Sequence, residues 1–403
     1  MTDDVRFGVN YIPARDWLYS WLDWNPDDIA ADLAAIRALG CDHIRAHCLW
    51  PIFQPNPNLI SRSALARLAE LVDIATDLDL DVHLSVLNGW MSGTYFRPFW
   101  QEPSMGVYSD PDVIGAQVRL IEAIAEIGYG RTRLVGIDIG NEPNALASFP
   151  GNGATRQQGD AWLTRLLAAC DDALPGRFHV VGVDHVPWLE DTSVFSRDVL
   201  GRVGSASIVH SWVYFTGALE RYGVEGLGTH HLARYLVELA RAFGETRERP
   251  VWLQEIGVSP GWLRGADVAE FAGSIVTEAL KANPWAMTWW GSHDIDRRLA
   301  GFDELEYDLG LLTVENEVKP VGLAVADAIA RERNRDGKPQ PGAVGERVEL
   351  TLPDDRVPDL SFADEFFALV ATGAHPVIVR ESRAEDLIDR VRLADSAAQG
   401  GGR

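Results

Sequence analysis

The sequence has 403 residues, of which 46% are hydrophobic and 24% are charged, and this composition excludes a chain that is mostly disordered. The formal net charge of -23 at pH 7 argues against nucleic acid and anionic membrane surfaces as partners, because both require a basic face. The cysteines show no C-x-x-C spacing, so neither a disulfide framework nor a zinc site is predicted. The segment MTDDVRFGVNY lacks the pattern of a signal peptide, and we expect a cytoplasmic protein without a membrane span.

Segments of strand character alternate along the chain with amphipathic helical segments. The predicted strands cover residues 5–11, 42–50, 81–88, 133–140, 178–184, 206–212, 250–257 and 285–291. Helices are predicted to begin where a capping residue precedes proline or an acidic residue, as at Asn25-Pro26 and Asp110-Pro111. Eight strand-helix repeats are typical of an α/β protein with a parallel (β/α)8 TIM barrel, whose active site lies at the C-terminal ends of the strands. The G-x-G-x-x-G of an open doubly wound sheet is absent after the first strand.

The pattern changes in the last part of the chain. RERNRDGKPQPG reads as a charged linker rich in proline and glycine, and it follows the last barrel helix. The sequence predicts a barrel domain over residues 1–335, a small C-terminal α/β appendage over 336–395 and a disordered tail over 396–403.

Tryptophan is concentrated near the predicted C-terminal ends of the strands. A single tryptophan usually fills a core, but many tryptophans on one face of a barrel are harder to explain by core packing alone. A flat apolar ring with one polar N–H suits the faces and hydroxyl edges of a sugar. We therefore interpret the mouth of the barrel as a carbohydrate-binding cleft, with tryptophans at positions Trp17, Trp21, Trp24, Trp50, Trp90, Trp100, Trp188, Trp212, Trp262, Trp289 and Trp290.

Two glutamates occupy equivalent places in the strand pattern. Glu142 follows the fourth strand in GIDIGNEPNA, and Glu255 ends the seventh in WLQEIG. Each could by itself be a solvated residue or part of an ion pair, but closure of the barrel brings both strand ends to one rim. Two carboxylates across a sugar cleft are the groups required for glycoside hydrolysis. A separation of about 5–5.5 Å would indicate retention of anomeric configuration, and one of roughly 6.5–9.5 Å would indicate inversion.

The two motifs resemble those of a known family. Gly140-Asn141-Glu142-Pro143 and Trp252 to Gly257 are similar to the acid/base and nucleophile motifs of the clan A retaining glycosidases, specifically glycoside hydrolase family 5, and the resemblance extends over about residues 5–330. It implies that Glu142 is the acid/base and Glu255 the nucleophile. It also implies a reaction without a metal or organic cofactor.

The same resemblance supplies candidates for substrate binding. Arg45, Asn141, His210 and a tryptophan of the eighth strand, Trp290 or Trp289, match the family pattern. The chain departs from the pattern where Asn88 replaces a histidine of the third strand and where the sixth strand reads His210-Ser211-Trp212, with a tyrosine only at Tyr214. These departures leave the hydrogen-bond partner of the nucleophile open. Further candidates for polar contacts are His293, Asp294, Asn10 and Tyr11.

Segments such as LWPIFQPN, HSWVYF and TWWGSHDIDR resemble an intracellular subfamily of family 5 with exo-β-mannosidase members. The resemblance implies a small neutral oligosaccharide as substrate, such as mannosyl-β-1,4-N-acetylglucosamine, and leaves the oligomeric state open. An endo-β-1,4-mannanase, a β-glucanase or a β-glucosidase of the same family is the first alternative. A non-catalytic carbohydrate-binding barrel and a metal-dependent hydrolase are alternatives of other classes, although no His-x-His or His-Glu-x-x-His set is present.

Overall fold

The structure is a computed structural model that describes residues 5–263, 265, 267–334 and 345–383. Parallel strands form one eight-stranded sheet: β1 (Arg6–Tyr11), β2 (His43–Leu49), β3 (Asp81–Asn88), β4 (Leu134–Asn141), β5 (Val180–Gly182), β6 (Ser207–Ser211), β7 (Val251–Ile256) and β8 (Ala286–Trp289). The hydrogen-bonded order is β5-β4-β3-β2-β1-β8-β7-β6. At the seam, the N–H of Ser205 donates to the carbonyl of His179 (2.7 Å), so the sheet is nearly closed. The predicted (β/α)8 barrel is confirmed.

A helix follows each strand: α1 (Pro26–Ala38), α2 (Arg62–Asp77), α3 (Pro111–Ala125), α4 (Arg156–Ala173), α5 (Arg197–Leu200), α6 (Leu227–Phe243), α7 (Val268–Leu280) and α8 (Pro320–Arg333). The side chain of Asn25 accepts from the N–H of Asp27, and that of Asp110 accepts from Asp112, as expected of N-caps. Helix α5 has only one turn, and much of the connection between β5 and β6 is irregular.

Short elements decorate the connecting loops. A two-stranded hairpin, Trp90–Met91 with Thr94–Tyr95, follows β3. The short helical turns are Trp17–Trp21, Trp50–Phe53, Glu126–Gly128, Pro143–Ser148, Val186–Leu189, Ala218–Tyr222, Pro260–Trp262 and Glu304–Glu306. Since most of these lie after the strands, they build the mouth of the barrel.

A small α/β unit packs against α6. It consists of β9 (Arg347–Leu352), α9 (Leu360–Ala371) and β10 (His375–Arg380), and the two strands pair in parallel. Tyr235 of α6 donates its hydroxyl to the carbonyl of Pro358 (2.7 Å), and Arg234 lies 2.9 Å from His375. The division into two domains stays a prediction, since the tail over 396–403 and most of the linker lie outside the described residues. Within the described ranges, no helix combines the length and apolar character needed to cross a membrane.

Candidate active site

Glu142 and Glu255 lie at the C-terminal ends of β4 and β7, as predicted. Glu142 has a left-handed backbone (φ 43°, ψ 49°), and its N–H donates to the carbonyl of Gly182 (2.7 Å). That conformation costs a non-glycine residue roughly 1–2 kcal/mol. The side chain of Glu142 is 14% exposed and that of Glu255 only 3%, so the pair sits deep in the mouth of the barrel.

His210 of β6 lies between the two carboxylates. Its Nδ1 is 2.8 Å from Oε1 of Glu142 and 3.3 Å from Oε2 of Glu255. One oxygen of each carboxylate and a ring nitrogen of His210 all lie within 4.8 Å of one another. Each carboxylate also accepts an indole N–H, Glu142 from Trp90 (3.1 Å) and Glu255 from Trp212 (3.1 Å). The two carboxylates and the imidazole therefore form one buried polar cluster.

Arg45 of β2 is fully buried and holds the polar side chains below the carboxylates together. Its Nε and Nη2 bind Oδ2 of Asp138 at 2.8 and 2.6 Å. Its Nη1 donates to Oε1 of Glu255 (3.2 Å) and to the side-chain oxygens of Asn10 and Asn141 (both 2.9 Å). A buried guanidinium needs partners for its donors, so this network fixes Arg45 and with it the orientation of Glu255.

Asn88 acts on the site through its neighbours. Its Oδ1 accepts from the N–H of Asn141 (2.9 Å) and the hydroxyl of Ser85 (2.8 Å), and its Nδ2 donates to the carbonyl of Ser85 (2.9 Å). The side-chain amide of Asn141 donates in turn to the carbonyl of Trp90 (3.2 Å). Asn88 therefore orients Asn141 and forms no direct bond to either carboxylate.

The buried environment controls protonation of the pair. Burial raises the pKa of both carboxyls, and the nearby charge of Glu142 raises the pKa of Glu255 further. His185 and Arg45 oppose this effect at Glu142 but do not outweigh it. Two negative charges this close cannot both form easily, so ionisation of one carboxyl disfavours ionisation of the other. Burial and Arg45 lower the pKa of His210 to about 3, and the imidazole between the carboxylates is neutral.

The aromatic candidates are placed differently from one another. The ring of Trp290 lies 5.4 Å from that of His47, which bonds the Arg45 network, whereas Trp289 donates its N–H to a carbonyl of the loop after β8 (3.2 Å). Tyr214 is 51% exposed and stacks on Trp262, with ring centroids 5.0 Å apart. Trp290 is thus the better placed of the two strand-eight tryptophans, and Tyr214 lies at the rim.

His293 and Asp294 are occupied within the loop after β8. The Nε2 of His293 lies 2.8 Å from Oδ1 of Asn316, and its Nδ1 lies 2.9 Å from the hydroxyl of Ser292. Asp294 accepts from the ammonium of Lys319 (2.6 Å). Both residues were candidates for polar contacts to a sugar, and that role stays a prediction; in the structure these bonds help to hold the loop.

Many of the tryptophans predicted at the mouth are packed in the core. Those no more than 2% exposed are Trp17, Trp21, Trp50, Trp188 and Trp289. Large rings fill the space between strand ends and loops, which is their commonest use. Tyr11 also belongs to the packing, since its hydroxyl donates to Asp32 (2.9 Å). The sugar-cleft interpretation therefore rests on fewer rings, chiefly Trp90, Trp212 and Trp290.

Comparison with known proteins agrees with this geometry. The Cellulase family model, described as glycosyl hydrolase family 5, matches residues 7–166. The structure of GH5_18 from Streptomyces cattleya in complex with GlcNAc is 38% identical to the chain, with a TM-score of 0.90 and 95% of each chain covered. The chain belongs to glycoside hydrolase family 5. It is accordingly a glycosidase enzyme with a TIM barrel.

Two further solved structures are informative. A variant of GH5_18 from Streptomyces cattleya in complex with Manβ1-4GlcNAc is 39% identical, with a TM-score of 0.88 and 95% of each chain covered. An exo-beta-1,4-mannosidase from Opitutaceae bacterium strain TAV5 is 26% identical, with a TM-score of 0.78, and the match covers 93% of this chain and 69% of that one. A search of curated proteins found no match.

The site of this family 5 enzyme includes residues that the sequence analysis did not select. They are Asp138, Gly182 and Gln254. Asp138 in GIDIG and Gln254 in VWLQEI could have been found from the sequence, because each is a polar residue inside an otherwise apolar strand and must have a buried partner. No such signal existed for Gly182, which matters because a Cβ there would stand 2.5 Å from Nη2 of Arg45.

Glu142, His210 and Glu255 also form the group that, among the described residues, could surround a metal ion. The guanidinium of Arg45 lies 3.2 Å from Glu255, so a cation bound there would meet a positive charge already in place. The arrangement suits paired carboxylate chemistry better than metal binding.

Proposed function

We propose that the chain is a retaining exo-β-mannosidase that releases mannose from β-1,4-linked manno-oligosaccharides such as Manβ1-4GlcNAc. The observation that carries this proposal is the buried pair of Glu142 and Glu255, joined through His210, on a chain similar to GH5_18 enzymes solved with this disaccharide. The closest carboxylate oxygens lie within 4.8 Å. That value supports the separation of about 5–5.5 Å typical of retaining enzymes over the roughly 6.5–9.5 Å of inverting ones.

The reaction proceeds by double displacement. In the first step a carboxylate oxygen of Glu255 bonds to the anomeric carbon while the bond to the leaving oxygen breaks, and Glu142 gives its proton to that oxygen. In the second step water attacks the anomeric carbon, Glu142 takes the proton from the water, and Glu255 is released. Burial and the charge of Glu142 raise the pKa of Glu255, and the bonds that Glu255 accepts from Arg45 and Trp212 oppose this rise. In this scheme Glu255 is ionised and Glu142 carries the proton.

The surrounding residues take supporting roles in this scheme. The side chain of Asn141, held by Arg45 and by the carbonyl of Trp90, is oriented for a hydroxyl beside the anomeric carbon. The ring of Trp290 provides a floor for the sugar, since an apolar face stacks on an aromatic ring. Neither step needs a metal or organic cofactor. The cytoplasmic location stays a prediction.

Contacts between loops support exo action. The ring of Trp17 after β1 lies 5.5 Å from that of Phe96 after β3 and 4.9 Å from that of Phe302 after β8. Three loops are therefore joined on one side of the barrel mouth. A cleft blocked on one side admits a chain end and excludes the middle of a polymer.

Hydrolysis of three substrates tests the proposal: Manβ1-4GlcNAc, p-nitrophenyl β-mannoside and p-nitrophenyl β-glucoside. Wild type is expected to release mannose, and Glu255→Gln is expected to lose this activity on every substrate. Glu142→Gln should lose most on Manβ1-4GlcNAc and least on the p-nitrophenyl mannoside, whose leaving group needs less protonation. Glu122→Gln, an exposed glutamate on α3, is the matched control and should behave as wild type. Proton NMR of the first product should show β-mannose.

Other outcomes point to the alternatives. Initial α-mannose would mean inversion. Rapid loss of viscosity of a mannan would mean endo action, and preference for the glucoside would mean a glucosidase. If wild type cleaves none of these substrates but binds Manβ1-4GlcNAc, and the double glutamine variant binds equally well, the barrel is a binding protein.

A further inference from the structure

Gln254 stands directly before Glu255 on β7 and is fully buried. Its Oε1 lies 3.2 Å from Nε2 of His210, and its own Nε2 has no hydrogen-bond partner within the described part of the chain. A Cβ added at Gly182 would stand 2.6 Å from this amide oxygen and 2.5 Å from Nη2 of Arg45, so the two atoms lie on the same side of Gly182. The positive guanidinium favours the oxygen end of the amide at this place.

This contact decides where His210 carries its proton. The imidazole is neutral, because burial and Arg45 lower its pKa to about 3, and a neutral imidazole has one N–H. An amide oxygen can only accept a hydrogen bond, so the N–H is on Nε2 and points at Gln254. The other nitrogen, Nδ1, therefore presents a lone pair.

The lone pair of Nδ1 faces Oε1 of Glu142 at 2.8 Å and Oε2 of Glu255 at 3.3 Å. A lone pair facing two ionised carboxylates would be repelled by both, and one carboxyl must supply a proton. Glu255 already accepts from Arg45 and from Trp212. Glu142 is nearer to Nδ1, and it is the carboxyl whose proton can complete the contact.

We propose that Gln254 is a positioning residue that fixes the proton of His210 on Nε2, so that Nδ1 accepts a hydrogen bond from the protonated carboxyl of Glu142. The inference rests on the proposed function, because Glu142 is the proton donor there. As the glycosidic bond breaks, the proton passes from Glu142 to the leaving oxygen. With no N–H on Nδ1 to stabilise the new carboxylate, Glu142 then readily takes a proton from the attacking water.

Several charged or titratable groups near Glu142 and His210 influence the protonation of Glu142. Those that face it or His210 are Arg45 on β2, Asp138 on β4, Asp184 and His185 after β5, Glu255 on β7 and Glu306 after β8. None of them bonds Nε2 of His210, so replacing Gln254 changes the tautomer without removing a charge.

The first test compares pH profiles of kcat/KM for wild type, Gln254→Met and a control, Gln117→Met. The thioether of methionine is only a weak acceptor for Nε2. His210 can then move its proton to Nδ1 and donate to ionised Glu142, which favours the ionised form. The alkaline limb should move to lower pH by about one unit. The decrease in kcat/KM caused by Gln254→Met should be larger for Manβ1-4GlcNAc than for p-nitrophenyl β-mannoside. Gln117 is an equally buried glutamine bonded to Trp162 in the core, and its replacement should leave the profile in place.

The second test uses the wild-type protein, so its result does not depend on whether a variant folds correctly. Histidine labelled with nitrogen-15, with His210→Asn used to assign the signal, reports directly which ring nitrogen carries the proton. A proton on Nε2 is expected. A proton on Nδ1, or an alkaline limb that does not move in folded Gln254→Met, overturns the inference. If wild type cleaves no β-mannoside, the proposed function fails, while the tautomer of His210 still tests the role of Gln254.

Discussion

Gly182 at the end of β5 offers a sharp test of how tightly the site is packed. Its Cα lies against the polar network, and a Cβ there would stand 2.5 Å from Nη2 of Arg45, 2.6 Å from Oε1 of Gln254 and 2.9 Å from Oδ2 of Asp138. To reach ordinary van der Waals distance, the nearest atom must retreat by about 0.9 Å. All three atoms belong to buried groups that have little room to move.

Gly182→Ala is therefore expected to shift Arg45, and with it the carboxylate of Glu255, by several tenths of an ångström. A misplacement of about 1 Å can lower a rate by about 100-fold, so we expect kcat/KM for p-nitrophenyl β-mannoside to fall by about 10- to 100-fold. Overpacking should also lower the free energy of unfolding by about 1–3 kcal/mol.

The control for this prediction is Gly153→Ala. Gly153 lies in the loop after β4, and an added Cβ there meets no atom within 4 Å. Steady-state kinetics and thermal unfolding of both variants separate a local effect from a general one. Unchanged kcat/KM in Gly182→Ala would mean that the Arg45 network is not held as tightly as the distances indicate, and the reasoning would fail.

Three further predictions concern Trp212, Glu278 and the removal of metal ions. Trp212→Phe keeps an aromatic ring but removes an N–H that lowers the pKa of Glu255. The acid limb of the pH profile of kcat/KM should therefore move to higher pH, and kcat/KM should fall by about 10- to 100-fold. An acid limb that does not move would contradict a role for this hydrogen bond. Burial raises the pKa of Glu278, but His231 and Lys281 outweigh it and hold the pKa at about 2, below the ordinary 4.5. Its contribution to stability is thus present above pH 4.5 and lost as the pH falls toward 2, and Glu278→Gln should flatten the unfolding free energy across that window in urea titrations. Treatment with EDTA should leave hydrolysis unchanged, whereas a loss restored by Zn²⁺ would revive the metal-dependent alternative.

The sequence by itself determined the barrel and the rim at which Glu142 and Glu255 meet. Strand and helix periodicities change over short segments, and each of the eight strands was predicted within a few residues of its position in the structure. Asn25 and Asp110 marked helix starts because capping is a local interaction. Glu142 and Glu255 could be paired because closure of a parallel barrel brings strand ends together wherever they occur along the chain.

The tertiary structure alone decided which polar atoms meet. The sequence left the hydrogen-bond partner of Glu255 open, and only the fold shows that Trp212 donates to Glu255 while Asn88 holds Asn141. His293 was a candidate for a sugar contact in sequence, and only the fold shows that its nitrogens lie within hydrogen-bond distance of Ser292 and Asn316. Hydrogen bonds depend on distances of a few tenths of an ångström between residues far apart in the chain, and no periodicity or local propensity carries that information.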